Sequence, residues 1–139
     1  MVAWKYQQQE INSIEDVPEG AYGFIYILTD VTGYWYIGKK SLYSTVTKNP
    51  LKGTKRKRKV TKESKWLDYC SSNKYFKQLE SWEIVDRTII DFAYNKKELT
   101  FLETEALFTL QALRNPMSKN SNILGKFYPK DITGNEKVN

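Results

Sequence analysis

The 139-residue chain contains no histidine and a single cysteine, Cys70. The first absence excludes His-containing zinc sites, Ser-His-Asp triads and nucleases that depend on an imidazole base. The second excludes an internal disulfide. Nothing beside Cys70 in the sequence would activate its thiol, so it reads as a small packed residue. Long apolar runs are missing too, and no stretch approaches the roughly 18 residues a membrane span needs. The opening MVAWKYQQQE has neither the basic nor the apolar region of a secretory signal. A cytoplasmic protein with no membrane partner is therefore expected. Without a Gly-rich phosphate loop or clustered Cys or Asp ligands, neither a nucleotide cofactor nor a zinc module is expected. Any chemistry has to come from Tyr, Lys, Arg, Asp or Glu.

Aromatic residues, by contrast, are plentiful: four Trp, ten Tyr and six Phe, within a hydrophobic fraction of 40%. That is enough to bury the core of one domain, which is what this length supports. The net charge is +6, and it is localised. Nine Lys or Arg stand between Lys48 and Lys65 against one acidic residue, Glu63, so this window carries +8 and the rest of the chain −2. A compact basic stripe on an otherwise balanced domain points to a polyanion, most simply nucleic acid. Lys39, Lys55, Arg56, Lys57, Arg58, Lys59, Lys62 and Lys65 are the candidate contacts. The competing reading is a solvated basic loop.

Residues 1–20 read as a polar lead-in closed by Pro18, Glu19 and Gly20. YGFIYILTD (22–30), DVTG (30–33) and YWYIG (34–38) then form strand, turn and strand, an antiparallel hairpin. A basic insertion over about 39–62 is either a second ribbon or a disordered loop. ESKWLDYC (63–70) is a short helix candidate, with Trp66 as its anchor on the sheet. Ser71, Ser72 and Asn73 break it and can cap a turn running to Gln78. SWEIVDRTIIDFA (81–93) alternates, with Trp82, Ile84, Ile90 and Phe92 on one buried parity. A long helix follows from an Asn95 cap to Arg114, with Glu98 in capping-box position and Asn115-Pro116 as the stop. SNILGKFYP could add a short strand before a polar tail at 129–139. The expected fold is α+β: one domain over 21–128, with a small three-stranded antiparallel sheet flanked by helices.

Two features could carry chemistry. On the long helix, Glu103 lies about 40° from Leu99, inside the apolar stripe, whereas Glu105 points away. A carboxylate there is paired, hydrogen-bonded, bound to a metal, or on the rim with its head in water. Phe101 and Phe108 lie opposite the stripe and mark a second contact surface. In the hairpin, parity places Tyr22 with Tyr26 and Tyr34 with Tyr36, as cross-strand packing or as a site.

YGFIYIL followed by Tyr36-Ile37-Gly38 resembles the GIY-YIG nuclease family. Tyr26 follows Ile25 as the family motif requires, although Phe24 occupies the glycine position. The element order, Glu103 on the last long helix, and Asn122 before Ile123 agree with it. So does the stretch from YIGKKSL to ESKWLDYCSSNKYF, which looks like small phage-type endonucleases of this family. The resemblance covers about residues 22–128.

It implies a metal-dependent DNA endonuclease working in a host-cell cytoplasm if phage-encoded. Tyr26 would be the general base or relay, and Tyr36 would orient the water or the phosphate. Glu103 would hold one Mg²⁺ or Mn²⁺ per active site, with Asn122 also in the site. The family arginine on the first helix after YIG has no counterpart between Glu63 and Glu80. Arg58 is the nearest substitute, with Lys40 and Arg56 as alternatives. Two rivals stand beside this reading: an inactive nucleic-acid-binding module with the same fold, and an interaction protein using the basic loop. Monomer and homodimer are both compatible with the sequence.

Overall fold

The computed structural model describes residues 1–133. In chain order the strands are β1 (Trp4–Tyr6), β2 (Gln9–Ile11), β3 (Gly23–Asp30), β4 (Trp35–Ser41), β5 (Tyr43–Lys48) and β6 (Arg58–Glu63). They are followed by helix α1 (Lys74–Lys77), strand β7 (Ile84–Ala93) and helix α2 (Lys96–Thr109). The domain is α+β, but its main sheet has five strands rather than three, in the order β2-β1-β7-β3-β4. It is also mixed, because β1 runs parallel to β7 while the other pairs are antiparallel. β5 and β6 form a separate two-stranded sheet.

The two extra strands come from the segment read as a polar lead-in. Its hairpin turns on Gln7 and Gln8, both with positive φ (50° and 69°). Two such residues in succession are what a two-residue hairpin loop needs, but Asn-Gly or Gly usually supplies them, so no turn signal stood in the sequence. Trp4 is fully buried against Phe24 and Tyr26.

The β3–β4 hairpin forms as expected, pairing Tyr26 with Gly38 and Leu28 with Tyr36. Asp30 closes its turn by accepting hydrogen bonds from the Thr32 and Tyr34 amides. β7 departs from simple alternation. Its register against β3 shifts twice, between Ile25 and Tyr26 and again between Thr29 and Asp30. These bulges put Ile84, Arg87, Ile89 and Phe92 on the buried side and leave Ile90 exposed. Trp82 precedes the strand in a short turn and is 70% exposed.

The helix expected over 63–70 is absent. β6 runs to Glu63, and the chain then passes through a turn that seats Trp66 in the core. Asn73 does cap a helix, the four-residue α1, by accepting from the Phe76 amide. α2 begins at the Asn95 cap but stops at Thr109, because Gln111 turns left-handed (φ 52°). Ile123 and Phe127 meet in an isolated bridge rather than a strand. Of the tail expected at 129–139, Pro129–Asp131 form a single 3-10 turn, and 134–139 lie outside the described residues.

Two apolar layers sandwich the sheet. One holds Trp4, Phe24, Tyr26, Leu28, Trp66, Phe76 and Phe92. The other holds Ile25, Ile37, Leu99, Leu107 and Leu113 beneath α2. β4 is an edge strand, and that position decides where a site can form.

Candidate active site

Alternation along β4 sends Tyr36, Gly38 and Lys40 to one face and Ile37 and Lys39 to the other. In the middle of a sheet these sets could not meet. At an edge, a cavity can collect groups from both faces. A polar cavity of about 500 Å³ lies there, lined by Tyr36, Lys39, Lys74, Glu103, Asn122 and their neighbours.

The edge itself is closed by a segment that sequence reasoning passed over. The Trp35 amide donates to the Met117 carbonyl and the Lys119 amide donates to the Trp35 carbonyl. One step further the side chain of Asn120 continues the ladder. Its Oδ1 accepts from the Ile37 amide at 3.0 Å, and its Nδ2 donates to the Ile37 carbonyl at 2.8 Å. An amide side chain thus stands in for a strand partner and fixes the backbone between Tyr36 and Gly38.

Gly38 is required by close approach. A Cβ there would sit 2.5 Å from Cζ of Tyr26 and 2.9 Å from Cε2 of Tyr36. The two rings, with centroids 6.4 Å apart, close over this residue. Phe24, which departs from the family motif, is buried among Trp4, Tyr26, Trp66 and Phe92 and fills core volume.

The two tyrosines differ in access. Tyr36 lines the cavity, and its phenol is pushed up to about 12, by burial first and then by the negative charge of Glu103. Tyr26 is only 1% exposed and does not line the cavity. Burial and then Tyr69 raise its phenol well above 10, while Ser71 opposes the shift. Ser71 has φ 143°, a left-handed value unusual for a residue with a side chain, and its Oγ accepts from the Asn73 amide at 2.8 Å. This loop is tied down from behind by Arg87. The buried guanidinium donates to the carbonyls of Leu67, Tyr69 and Val2 at 2.8–2.9 Å and stacks on Trp4.

Glu103 is neither fully buried nor free in water: its side chain is 20% exposed. Burial raises its carboxyl, and Lys39 opposes that shift, with Nζ 4.0 Å from Oε1. Lys39 also donates to Thr100 Oγ1 at 3.0 Å. Among the described residues, no three His, Cys, Asp or Glu side chains gather into a metal-holding cluster. A cation held at Glu103 would complete its shell with water and phosphate oxygens, which Mg²⁺ commonly does.

The remaining expected site residues separate. Asn122 lines the cavity, with Oδ1 accepting from the Gly125 amide. Lys40 points to the other face and stacks on Tyr69 at 4.6 Å. Arg58 is exposed on β6, donates to the Asn49 carbonyl, and does not line the cavity; Arg56 is exposed in the same ribbon's loop. The cavity's cations are instead Lys39 and Lys74. Lys74 carries no signal in the sequence beyond following the Asn73 cap.

The family described as "Putative endonuclease segE, GIY-YIG domain" matches residues 4–132. Searches of curated proteins and of solved structures gave no match.

Proposed function

Because the chain belongs to the segE-type GIY-YIG endonuclease domain family, we propose that it hydrolyses DNA phosphodiester bonds with a divalent metal. The observation that carries this reading is the convergence of Tyr36, Lys39, Lys74, Glu103 and Asn122 on one polar cavity. Lys39 and Lys74 draw the scissile phosphate in and balance the charge it gains when water attacks. Tyr36 orients the attacking water or the phosphate with its hydroxyl. A phenol raised to about 12 is protonated at neutral pH and so donates a hydrogen bond. Tyr26, enclosed behind it, acts as a relay instead of meeting the water directly. Glu103 holds one Mg²⁺ or Mn²⁺, which when bound supplies stabilisation for the leaving 3′ oxygen. Asn122 lines the same wall and offers an amide to the substrate. Arg56 and Arg58, outside the cavity, contact the DNA backbone beyond the cut.

The test is incubation of supercoiled plasmid with Mg²⁺ or Mn²⁺, comparing wild type with Tyr36→Phe and Glu103→Gln. Nicked or linear product from wild type, lost in both variants, supports the reading and reports strand number. The Lys39–Glu103 pair favours a second reading, an inactive nucleic-acid-binding module in which the lysine occupies the metal's place. Salt-dependent binding with no cleavage by wild type in either metal would establish it.

A further inference from the structure

Building on the DNA-endonuclease reading, we propose that the β5–β6 ribbon selects duplex DNA by lying in the major groove. Its threonine-bearing face meets base edges, while its long basic side chains reach the phosphates. The register sets the two faces. Tyr43 pairs with Glu63, Thr45 with Thr61 and Thr47 with Lys59 on one face; Ser44 pairs with Lys62, Val46 with Val60 and Lys48 with Arg58 on the other. The first face is exposed along its whole length, whereas Ser44, Val46 and Val60 on the second are half-buried. Lys52, Lys55, Arg56 and Lys57 crowd the exposed loop between the strands.

Shape favours the major groove. Two strands about 4.8 Å apart, with their side chains, match a groove about 12 Å wide that accepts a two-stranded ribbon. The minor groove of an undeformed duplex, about 6 Å wide, is too narrow for it and would have to be opened by bending the DNA. Chemistry favours a duplex over a single strand. Single-strand grooves use aromatic platforms, and the ribbon's one aromatic, Tyr43, stands at its base. Threonine hydroxyls and methyls are suited to base edges, where each base pair shows its own donors, acceptors and methyl groups. Six residues per strand span about 20 Å, or roughly six base pairs.

The ribbon is fixed to the site it would serve. Leu42, between β4 and β5, is fully buried and donates its amide to the Tyr22 carbonyl. Ser64, after β6, donates its amide to the Leu42 carbonyl and its hydroxyl to the Ser41 carbonyl. One arm therefore continues from the strand that carries Tyr36 and Lys39 and the other is bonded to that strand's end, so DNA seated on the ribbon would be held in register with the cavity.

The experiment uses the full chain in EDTA and a 25-base-pair duplex that the protein selects from a random pool. Dimethyl sulfate methylates guanine N7 in the major groove and adenine N3 in the minor groove. Interference at guanine N7 over a run of about six base pairs, with none at adenine N3, is expected. Thr45→Val, Thr47→Val and Thr61→Val together, which keep strand propensity, should weaken binding to that duplex about 10-fold with the salt slope unchanged. Lys59→Met and Lys62→Met should each flatten the slope by about 0.9. The proposal is overturned if the pool yields no preferred duplex or only adenine N3 interferes. Equal affinity for single strands or RNA duplexes, or wild-type binding by the threonine variant, overturns it as well. Guanine interference without cleavage in Mg²⁺ or Mn²⁺ removes the endonuclease reading and leaves the ribbon's role standing. Duplex cleavage without guanine interference does the opposite.

Discussion

Lys39 and Glu103 face each other in the cavity that both line, with Nζ and Oε1 4.0 Å apart. They come from an edge strand and from the helix packed beneath it, two elements some sixty residues apart in the chain. The pair explains why a carboxylate is tolerated within an apolar stripe: it stands one helical turn from Leu99 and from Leu107, and its head meets a cation. It also identifies the group that a divalent metal would have to displace or share.

Burial raises the Glu103 carboxyl above its usual 4.5 despite Lys39. A folded-state value above the unfolded one means that the folded protein binds more protons, so stability falls as pH rises from about 4.5 through the raised value. Glu103→Gln removes that dependence. The variant should melt with wild type near pH 4 and above it at pH 7, and it should lose metal-dependent cleavage at pH 7. Melting curves at the two pH values check the sign. A Gln variant less stable than wild type at pH 7 would instead make the Lys39 pair a net structural bond. Glu105→Gln, on the outer side of α2, should change neither measurement.

Tyr36→Phe keeps the ring and removes the hydroxyl that faces the cavity. Cleavage should fall about 100-fold or more, with the melting temperature nearly unchanged. Tyr26→Phe should differ by also costing about 1 kcal/mol of stability, since its hydroxyl is enclosed in the core whereas that of Tyr36 opens on the cavity. Urea unfolding beside single-turnover cleavage separates the two effects. Equal stability losses in both variants would contradict the difference in their surroundings.

Gly38→Ala introduces a Cβ against two rings that cannot both move aside, because Tyr26 is enclosed by Trp4, Phe24 and Tyr69. The expected cost is about 1–3 kcal/mol. In the double variant Gly38→Ala with Tyr26→Phe, removal of the hydroxyl should recover part of it. Additive losses, measured by urea unfolding, would mean that the contact is not the cause.

Arg87→Met should release the 66–73 loop, because its Leu67 and Tyr69 carbonyls lose their donor at once, together with that of Val2 outside the loop. Each buried acceptor left unpaired costs about 1–3 kcal/mol. Limited proteolysis should show new cleavage between Trp66 and Asn73 before global unfolding. Arg87→Lys, which lacks the planar fork, should not restore protection. An unchanged digestion pattern in both would remove Arg87 from the support of Ser71 and Tyr69.

Asn120→Leu, similar in volume, leaves the amide and carbonyl of Ile37 without their side-chain partner. A loss of about 2 kcal/mol or more is expected, together with faster hydrogen exchange at the Ile37 amide. Exchange at wild-type rate would show that the edge is held by other bonds.

The sequence by itself determined the β3–β4 hairpin, the Asn95 cap, a cap within Ser71–Asn73 that the structure assigns to Asn73, the family resemblance, and the candidacy of Tyr36 and Glu103. All of these rest on local patterns: aromatic runs about a Gly-containing turn, an Asn three residues before an amide it can accept from, and a carboxylate out of place in a helical stripe. What it could not determine depends on partners distant in the chain. The β1–β2 hairpin turns on two glutamines whose left-handed conformations become affordable only because Trp4 is buried in the sheet's core. Two bulges in β7 undo a parity that counting by two must assume. Lys74, Asn120 and Arg87 are ordinary residues until folding brings them to the edge of β4, to the Ile37 backbone and to the Tyr69 loop. Only the tertiary structure decided that β4 lies at an edge, and only an edge strand lets side chains from both faces of a sheet meet in one cavity.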